Sequence, residues 1–362
     1  MNKALPLWSR RARDDVHGGY FEALTPEGEP RSGDPKRLRV QARQAFAFAR
    51  CEALGFIPDG REASDEGFGF MHRFGFREAK DGLPRGFVHV LNPDGSVKDP
   101  QRDTYDHAFV LLAASERLKV YGGDRERDVA REVFDFLDEI RHAEGGFANG
   151  APASPPRCQN PHMHLFEALL NFKSIPGFPR APQERKNLAS LFREKFWNAE
   201  ENALLEFFRD DWSPDPERGC EVMPGHMPEW VFLLHQLGGV PTDFLLTLQE
   251  RGRELGMAGD RPFLSTSANL RTGKRHGDYR LWAQCEHVRG CLVIADLLQD
   301  EAWRDEAGNI LGAVRQSFFS GRVVPGGWHD AVDEDGQVVS DRMPTSTLYH
   351  VVTLAEEVAN AL

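Results

Sequence analysis

The sequence predicts an all-α toroid. Three observations carry that expectation: helical periodicity recurs from end to end, several helices are apolar nearly all round, and short hairpins on one repeated frame separate them. The first helical stretch, residues 36–55, puts Leu38, Ala42, Ala45, Phe46 and Ala49 on one face and stops at Gly55. Comparable stretches follow near 102–121, 125–142, 160–174, 184–197, 226–238, 242–256, 280–299, 301–318 and 345–360. Residues 107–118 (HAFVLLAASERL) and 290–298 (GCLVIADLL) are apolar on almost every side. Helices of that kind are expected to be buried on more than one face.

Three pieces between the helices share a frame: Gly19–Gly28, Gly86–Gly95 and Gly327–Gly336. In each, an aromatic residue (Tyr20, Phe87, Trp328) follows the first glycine and an acidic one (Glu27, Asp94, Asp335) precedes the second. The acidic-Gly step supplies the positive φ of a tight turn. A looser fourth piece spans Leu204–Trp212. About ten to twelve helices with no long strand fit a ring, its inner helices facing a cavity and its hairpins at one mouth. The Pro-rich residues 151–157 are too short for a linker, so a single domain over 1–362 is expected.

Composition narrows the function. Of 362 residues 40% are hydrophobic and 28% charged, as in a soluble globular protein, and the net charge is −12. That charge disfavours a nucleic-acid partner or an anionic membrane surface, since it repels phosphates. The five cysteines, Cys51, Cys158, Cys220, Cys285 and Cys291, include no C-x-x-C pair. A reducing, cytoplasmic setting is therefore expected, without a disulfide framework or zinc ribbon. The N-terminal residues become charged without an apolar run, and no stretch reaches the roughly 18 apolar residues of a membrane helix.

Candidate chemistry clusters at helix starts beside Gly, Pro or Asn, which in a toroid point into one mouth. In Pro224–Trp230, His226 and Glu229 are three apart and share a helical face. Glu229 could orient the imidazole or touch a ligand; a simple first turn with a capping His explains both as well. In Gln159–His164, Asn160 reads as an N-cap with Pro161 at the first helical position. His164 lies a turn further in, and His162 and His164 cannot share a face as a metal pair. In Leu281–His287, Trp282 and Glu286 are four apart, and Glu286 sits in an apolar helix. A buried carboxylate needs a partner, whether a structural arginine such as Arg289 or a functional group. His350, in Met343–His350, precedes Val351, Val352 and Leu354, where a satisfied core histidine is the plain alternative. Arg43 must face a carboxylate, a wet cavity or a ligand, because its guanidinium is never neutral. Tyr105, Trp328 and Asp330 are further polar or aromatic groups suited to a sugar face. No nucleophile elbow, phosphate loop, dinucleotide fingerprint or H-E-x-x-H motif occurs, and no compact His/carboxylate triad is visible by spacing.

Taken in order, Arg37–Gln44, Tyr105–Leu112, Asn160–His164, Pro224–Trp230, Trp282–Glu286 and Tyr349-His350 resemble the N-acylglucosamine 2-epimerase superfamily, nearest its bacterial mannose isomerases. The resemblance runs from Gly18 to His350. It implies an (α/α)6 barrel with neither metal nor cofactor, His226 and His350 as the acid/base pair, and a monosaccharide substrate. It implies that Arg43, Tyr105, Asn160, His164, Glu229, Trp282 and Glu286 line the sugar site; Trp328 joins them as an aromatic candidate. The expected reaction is mannose–fructose isomerisation, with 2-epimerisation or a phosphorylated or sulfonated sugar as alternatives. A toroidal glycoside hydrolase would need Glu229 and Glu286 as opposed carboxylates, and a sugar-binding toroid would not need both histidines. The protein is expected to act as a monomer or homodimer.

Overall fold

The computed structural model describes residues 1–258, 261–321 and 323–361. Among them the chain forms twelve α-helices: α1 (Ala4–Arg10), α2 (Leu38–Ala53), α3 (Arg61–Phe70), α4 (Thr104–Val120), α5 (Asp124–Glu139), α6 (Gln159–Asn171), α7 (Ala181–Leu191), α8 (His226–Leu237), α9 (Thr242–Gly256), α10 (Leu281–Leu298), α11 (Glu301–Phe318) and α12 (Leu348–Ala361). The six even-numbered helices pack in cyclic order, and α12 against α2 closes the ring. Helices α3, α5, α7, α9 and α11 each pack outside the inner helix they follow. Helix α1 joins them, with Trp8 stacked on Trp328 at 4.4 Å. This is the (α/α)6 barrel expected. Burial explains the layering: α4 and α10 are buried nearly end to end, whereas α5 buries Val129, Val133, Phe134 and Leu137 and turns its charges outward.

All ten helical stretches read from the sequence are present. The two not foreseen have physical reasons. Helix α1 is short and carries Pro6 in its first turn, where a missing N–H costs nothing. Helix α3 contains Gly67, which weakens the helical signal. An added Cβ there would stand 2.6 Å from the Gln41 carbonyl oxygen, so the glycine lets α3 lie close on α2.

The hairpins are more regular than the sequence suggests. Turns starting at Thr25, Asn92, His142, Arg209 and Asp333 share two bonds: the first residue's carbonyl accepts from the amide three on, and its amide donates to the carbonyl four on. The three framed glycines, Gly28, Gly95 and Gly336, close such turns with φ of 88°, 84° and 81°. Each two-residue strand just before an inner helix pairs antiparallel with the next hairpin round the ring. Arg37 faces Val90, Asp103 faces Gly150, Cys158 faces Phe207, Val222 faces Ala268 and Arg280 faces Ala331. Pro344 faces Ala23, joining the two ends of the chain. The resulting circle of strand pairs pins all six inner-helix N-termini at one mouth.

Candidate active site

The strand circle decides which side chains face the axis. The second and sixth residues after each strand are four apart and share a helical face. They are Arg39 and Arg43, Tyr105 and Phe109, Asn160 and His164, Trp282 and Glu286, and Ser346 and His350. In the fourth repeat Met223-Pro-Gly lengthens the approach, so His226 becomes the first residue of α8. Arg43, Tyr105, Asn160, His164, His226, Glu229, Trp282 and His350 line one cavity of about 180 Å³. It opens into a vestibule of about 580 Å³ bounded by Arg37, Arg39, His89 and Arg280.

The two imidazoles are held alike. His350 Nδ1 donates to Glu286 Oε1 at 2.7 Å, and Arg289 bonds the other Glu286 oxygen. His226 Nδ1 donates to Glu206 Oε1 at 2.8 Å. Gln159 Nε2, 3.0 Å from the same ring nitrogen, donates to Glu206 Oε2 at 2.9 Å. Trp230 Nε1 fixes that amide by donating to Gln159 Oε1 at 3.0 Å. Each ring thus spends Nδ1 on a carboxylate and leaves Nε2 to the cavity. The Trp282 ring lies between them, 5.2 Å from His226 and 5.8 Å from His350 by centroid.

Burial sets the protonation states. Burial would push Glu286 up, but Arg289 and then His350 outweigh it and keep the carboxyl below its usual range, ionised. Burial pushes His350 down to about 4, against the opposing pull of Glu286, so the ring is neutral near pH 7. Burial and then the neighbouring Glu286 hold Glu229 well above the carboxylate range, favouring the neutral acid. Burial also lowers His164, whose Nδ1 meets Glu167 at 3.0 Å and whose Nε2 lies 3.9 Å from Glu229.

Arg43 makes no ion pair with a carboxylate among the described residues. Its Nη2 donates to Tyr105 Oη at 2.7 Å, its guanidinium lies 4.0 Å from the Phe109 ring centroid, and its Nε has no partner. Asn160 does not cap α6: the cap position is Cys158, and Asn160 Oδ1 is buried without a partner at the cavity wall. Glu229 is not the carboxylate that orients His226; that partner is Glu206. Trp328 is not a cavity residue. It is fully buried on Trp8 in the cluster under α11, because its hairpin turns that position toward the outer layer. Asp330 works from behind, bonding Arg280 Nε at 3.2 Å and Thr347 Oγ1 at 3.3 Å, both on cavity-lining residues.

Glu206 is the principal residue that sequence reasoning missed. Its signal is one charge within the apolar run Ala203–Phe208, in the hairpin whose Phe207 pairs with Cys158. Three metal-capable clusters also form among the described residues, correcting the expectation drawn from spacing: Glu229 with Glu286 and His350, His89 with Asp103 and Asp106, and His287 with Cys291 and Glu306. Most of their members come from separate elements, which spacing along the chain cannot register. In the first, Glu286 is already committed to His350 and Arg289; in the second, Arg39 occupies Asp106 at 2.9 Å.

A polar cavity in an (α/α)6 ring, with two carboxylate-braced imidazoles and a guanidinium without a carboxylate partner among the described residues, offers the groups that acid/base proton transfer on a polyhydroxylated molecule needs. The chain belongs to the N-acylglucosamine 2-epimerase (GlcNAc 2-epimerase) family, whose model matches residues 19–354. It is 32% identical to the mannose-6-phosphate isomerase of Rhizobium meliloti (strain 1021), over 99% of this chain and 94% of that one. It is 24% identical to the cellobiose 2-epimerase of Bacteroides fragilis, over 80% and 78%. A crystal structure of a D-mannose isomerase superposes with a TM-score of 0.88 at 21% identity, covering 100% of this chain and 96% of the other. The protein is therefore an enzyme of the sugar isomerase and epimerase class.

Proposed function

We propose that this enzyme interconverts D-mannose and D-fructose by proton transfer between C2 and C1 through a cis-enediolate, with His226 and His350 as its acid/base pair and no metal ion. The observation that carries this reading is the matched bracing of the two imidazoles, each bonded through Nδ1 to its own carboxylate with Nε2 toward the cavity. The C2 proton is acidic only in the open-chain aldose, so one group must open the ring and another move the proton. His350 is neutral with a free Nε2 lone pair, which suits the base at C2. Glu206 has no arginine or lysine of its own among the described residues, so its charge is free to offset one developing on His226 during ring opening. Arg43 and neutral Glu229 supply charge and hydrogen bonding for the enediolate oxygens. Trp282 offers a flat face to the sugar's C–H groups.

Charge at the mouth favours a free sugar over its phosphate. Arg37 is matched by Glu22, Arg39 by Asp106 and Arg280 by Asp330, and of these mouth and cavity arginines Arg43 alone lacks a carboxylate partner among the described residues. A phosphate would need unspent donors there. Arg271, Lys274 and Arg275 lie exposed on a separate loop. A second reading, 2-epimerisation, differs only in returning the proton to C2 from the opposite face, and has the cellobiose 2-epimerase relative in its favour.

The test is incubation of EDTA-treated enzyme with mannose in D2O, followed by NMR and a ketose assay, with mannose 6-phosphate in parallel. Fructose from mannose is expected. Glucose without fructose overturns the isomerase reading for the epimerase; conversion of the phosphate alone overturns the free-sugar reading.

A further inference from the structure

We propose that the outer face of α10 carries a second site, for one divalent transition-metal ion of the zinc type, ligated by His287, Cys291 and Glu306. His287 and Cys291 are one helical turn apart and fully buried, and Glu306 reaches them from α11. One ligand atom from each lies within 4.8 Å of the others. Zinc bonds of about 2.0–2.3 Å place tetrahedral donors about 3.5 Å apart, so small rotamer adjustments of about 1 Å close the set. Imidazole, thiolate and carboxylate together suit zinc or cobalt rather than magnesium or calcium.

A second, independent observation points to an occupant. Neither nitrogen of the buried His287 ring has a hydrogen-bond partner, and beside it Gln249 Oε1 and Arg253 Nε are also buried and unpartnered. A zinc-type ion takes one His287 nitrogen, and the other ring N–H, Gln249 Oε1 and Arg253 Nε call for water beside it. The surroundings fit an ion's outer shell: Gln249 Nε2 donates to Cys291 Sγ at 3.2 Å, an orienting bond for a metal-bound sulfur. Arg253 bonds Glu306 at 2.8 Å and opposes the incoming charge. Binding displaces the Cys291 proton to solvent, so thiolate and carboxylate together offset the dication. Because the ion displaces that proton, uptake weakens as pH falls. Glu306 is partly exposed and gives the ion a way in. A bound ion would tie α10 to α11 behind Trp282 and Glu286, which project from the other face of α10.

Chelator-treated full-length protein titrated with Co2+ tests this. One equivalent should produce a near-ultraviolet thiolate-to-cobalt charge-transfer band, which Zn2+ then removes, and stoichiometric Zn2+ should raise the melting temperature. The band should vanish in Cys291→Ser and persist in Cys158→Ser and Cys220→Ser; Gln249→Leu should weaken binding by about tenfold. No band and no thermal shift in the wild type would overturn the proposal and leave the polar atoms to buried water. A band that survives Cys291→Ser would overturn it as well. The wild-type titrations decide even where a variant fails to fold.

Discussion

Arg289 does not line the active-site cavity, yet removing it should change the pH at which the enzyme works. Its guanidinium takes one Glu286 oxygen while His350 takes the other. In Arg289→Met the carboxylate keeps its burial and loses its main counter-charge. Glu286 and His350 then take up their shared proton at a higher pH, whichever of them holds it. His350 lies at about 4 against an ordinary 6.5, which leaves about 2.5 pH units to recover. Burial, the main cause, is unchanged, and Arg43 and His164 still oppose the charging of His350, so only part of that gap returns. The acidic limb of kcat/KM should move up by at least about one pH unit, or about 1.4 kcal/mol. Breaking a buried pair from one side also costs about 3–5 kcal/mol of stability, so the profile should be measured well below a separately determined melting temperature. Arg289→Lys keeps the charge and should hold the limb near its wild-type position. The assay is mannose-to-fructose conversion across pH 4–8. A lower kcat with an unmoved limb in Arg289→Met would refute the argument that Arg289 sets the protonation of this pair.

Glu206→Gln should lower kcat by about 10²-fold or more with little change in KM or in melting temperature, because the amide no longer fixes the proton on His226 Nδ1; an unchanged kcat, or a loss matched by a fallen melting temperature, would refute this. Trp328→Ala should cost about 3–5 kcal/mol in denaturant unfolding, whereas Trp328→Phe should leave KM unchanged, since the ring packs on Trp8 outside the cavity. A raised KM in Trp328→Phe would return this residue to the sugar site. Acid should weaken the fold: burial holds His107 at about 4 and His162 at about 3, so the unfolded chain, near 6.5, binds the extra protons. The melting temperature should fall as pH drops from about 6.5 toward 4. A flat profile would mean that groups of opposite sign, such as Asp103, raised by burial to about 6, cancel the effect.

The ring was legible because its signals are local. Helices α4 and α10 declare themselves by being apolar all round, and the acidic-Gly turns repeat at Gly28, Gly95 and Gly336. Both histidines stand out as candidates because a polar side chain at a helix start beside apolar neighbours needs a reason, but their acid/base assignment comes from the family resemblance and not from local pattern. Asn160 reads as an N-cap from the sequence and is not one. The Asn-Pro pair imitates a cap, but the strand at Arg157–Cys158 starts the helix earlier and turns Asn160 to the axis. Trp328 misled because it shares the aromatic position of the hairpin frame, which the fold uses for packing: Tyr20 and Phe87 are buried there as well. Its Trp8 partner lies at the far end of the chain, and no sequence spacing announces that contact.

Glu206 was invisible for a deeper reason, which lies in how the ring supplies its two carboxylates. His350 and Glu286 are both sixth residues after their strands, on adjacent inner helices, so one repeat hands its carboxylate directly to the next. The repeat carrying His226 is out of step. Met223-Pro-Gly lengthens the approach, His226 opens its helix, and the sixth position of the preceding repeat holds His164 instead of a carboxylate. A residue from the preceding hairpin fills the gap, held beside α6 by the pairing of Phe207 with Cys158 and by Gln159. The same bond to Nδ1 is thus made from a helix in one case and a loop in the other. A pattern search that recognised Glu286 by its helix would pass over Glu206. The difference is electrostatic: Glu286 shares its charge with Arg289, whereas Glu206 forms no comparable pair among the described residues, so two similar braces surround the two imidazoles with different charge.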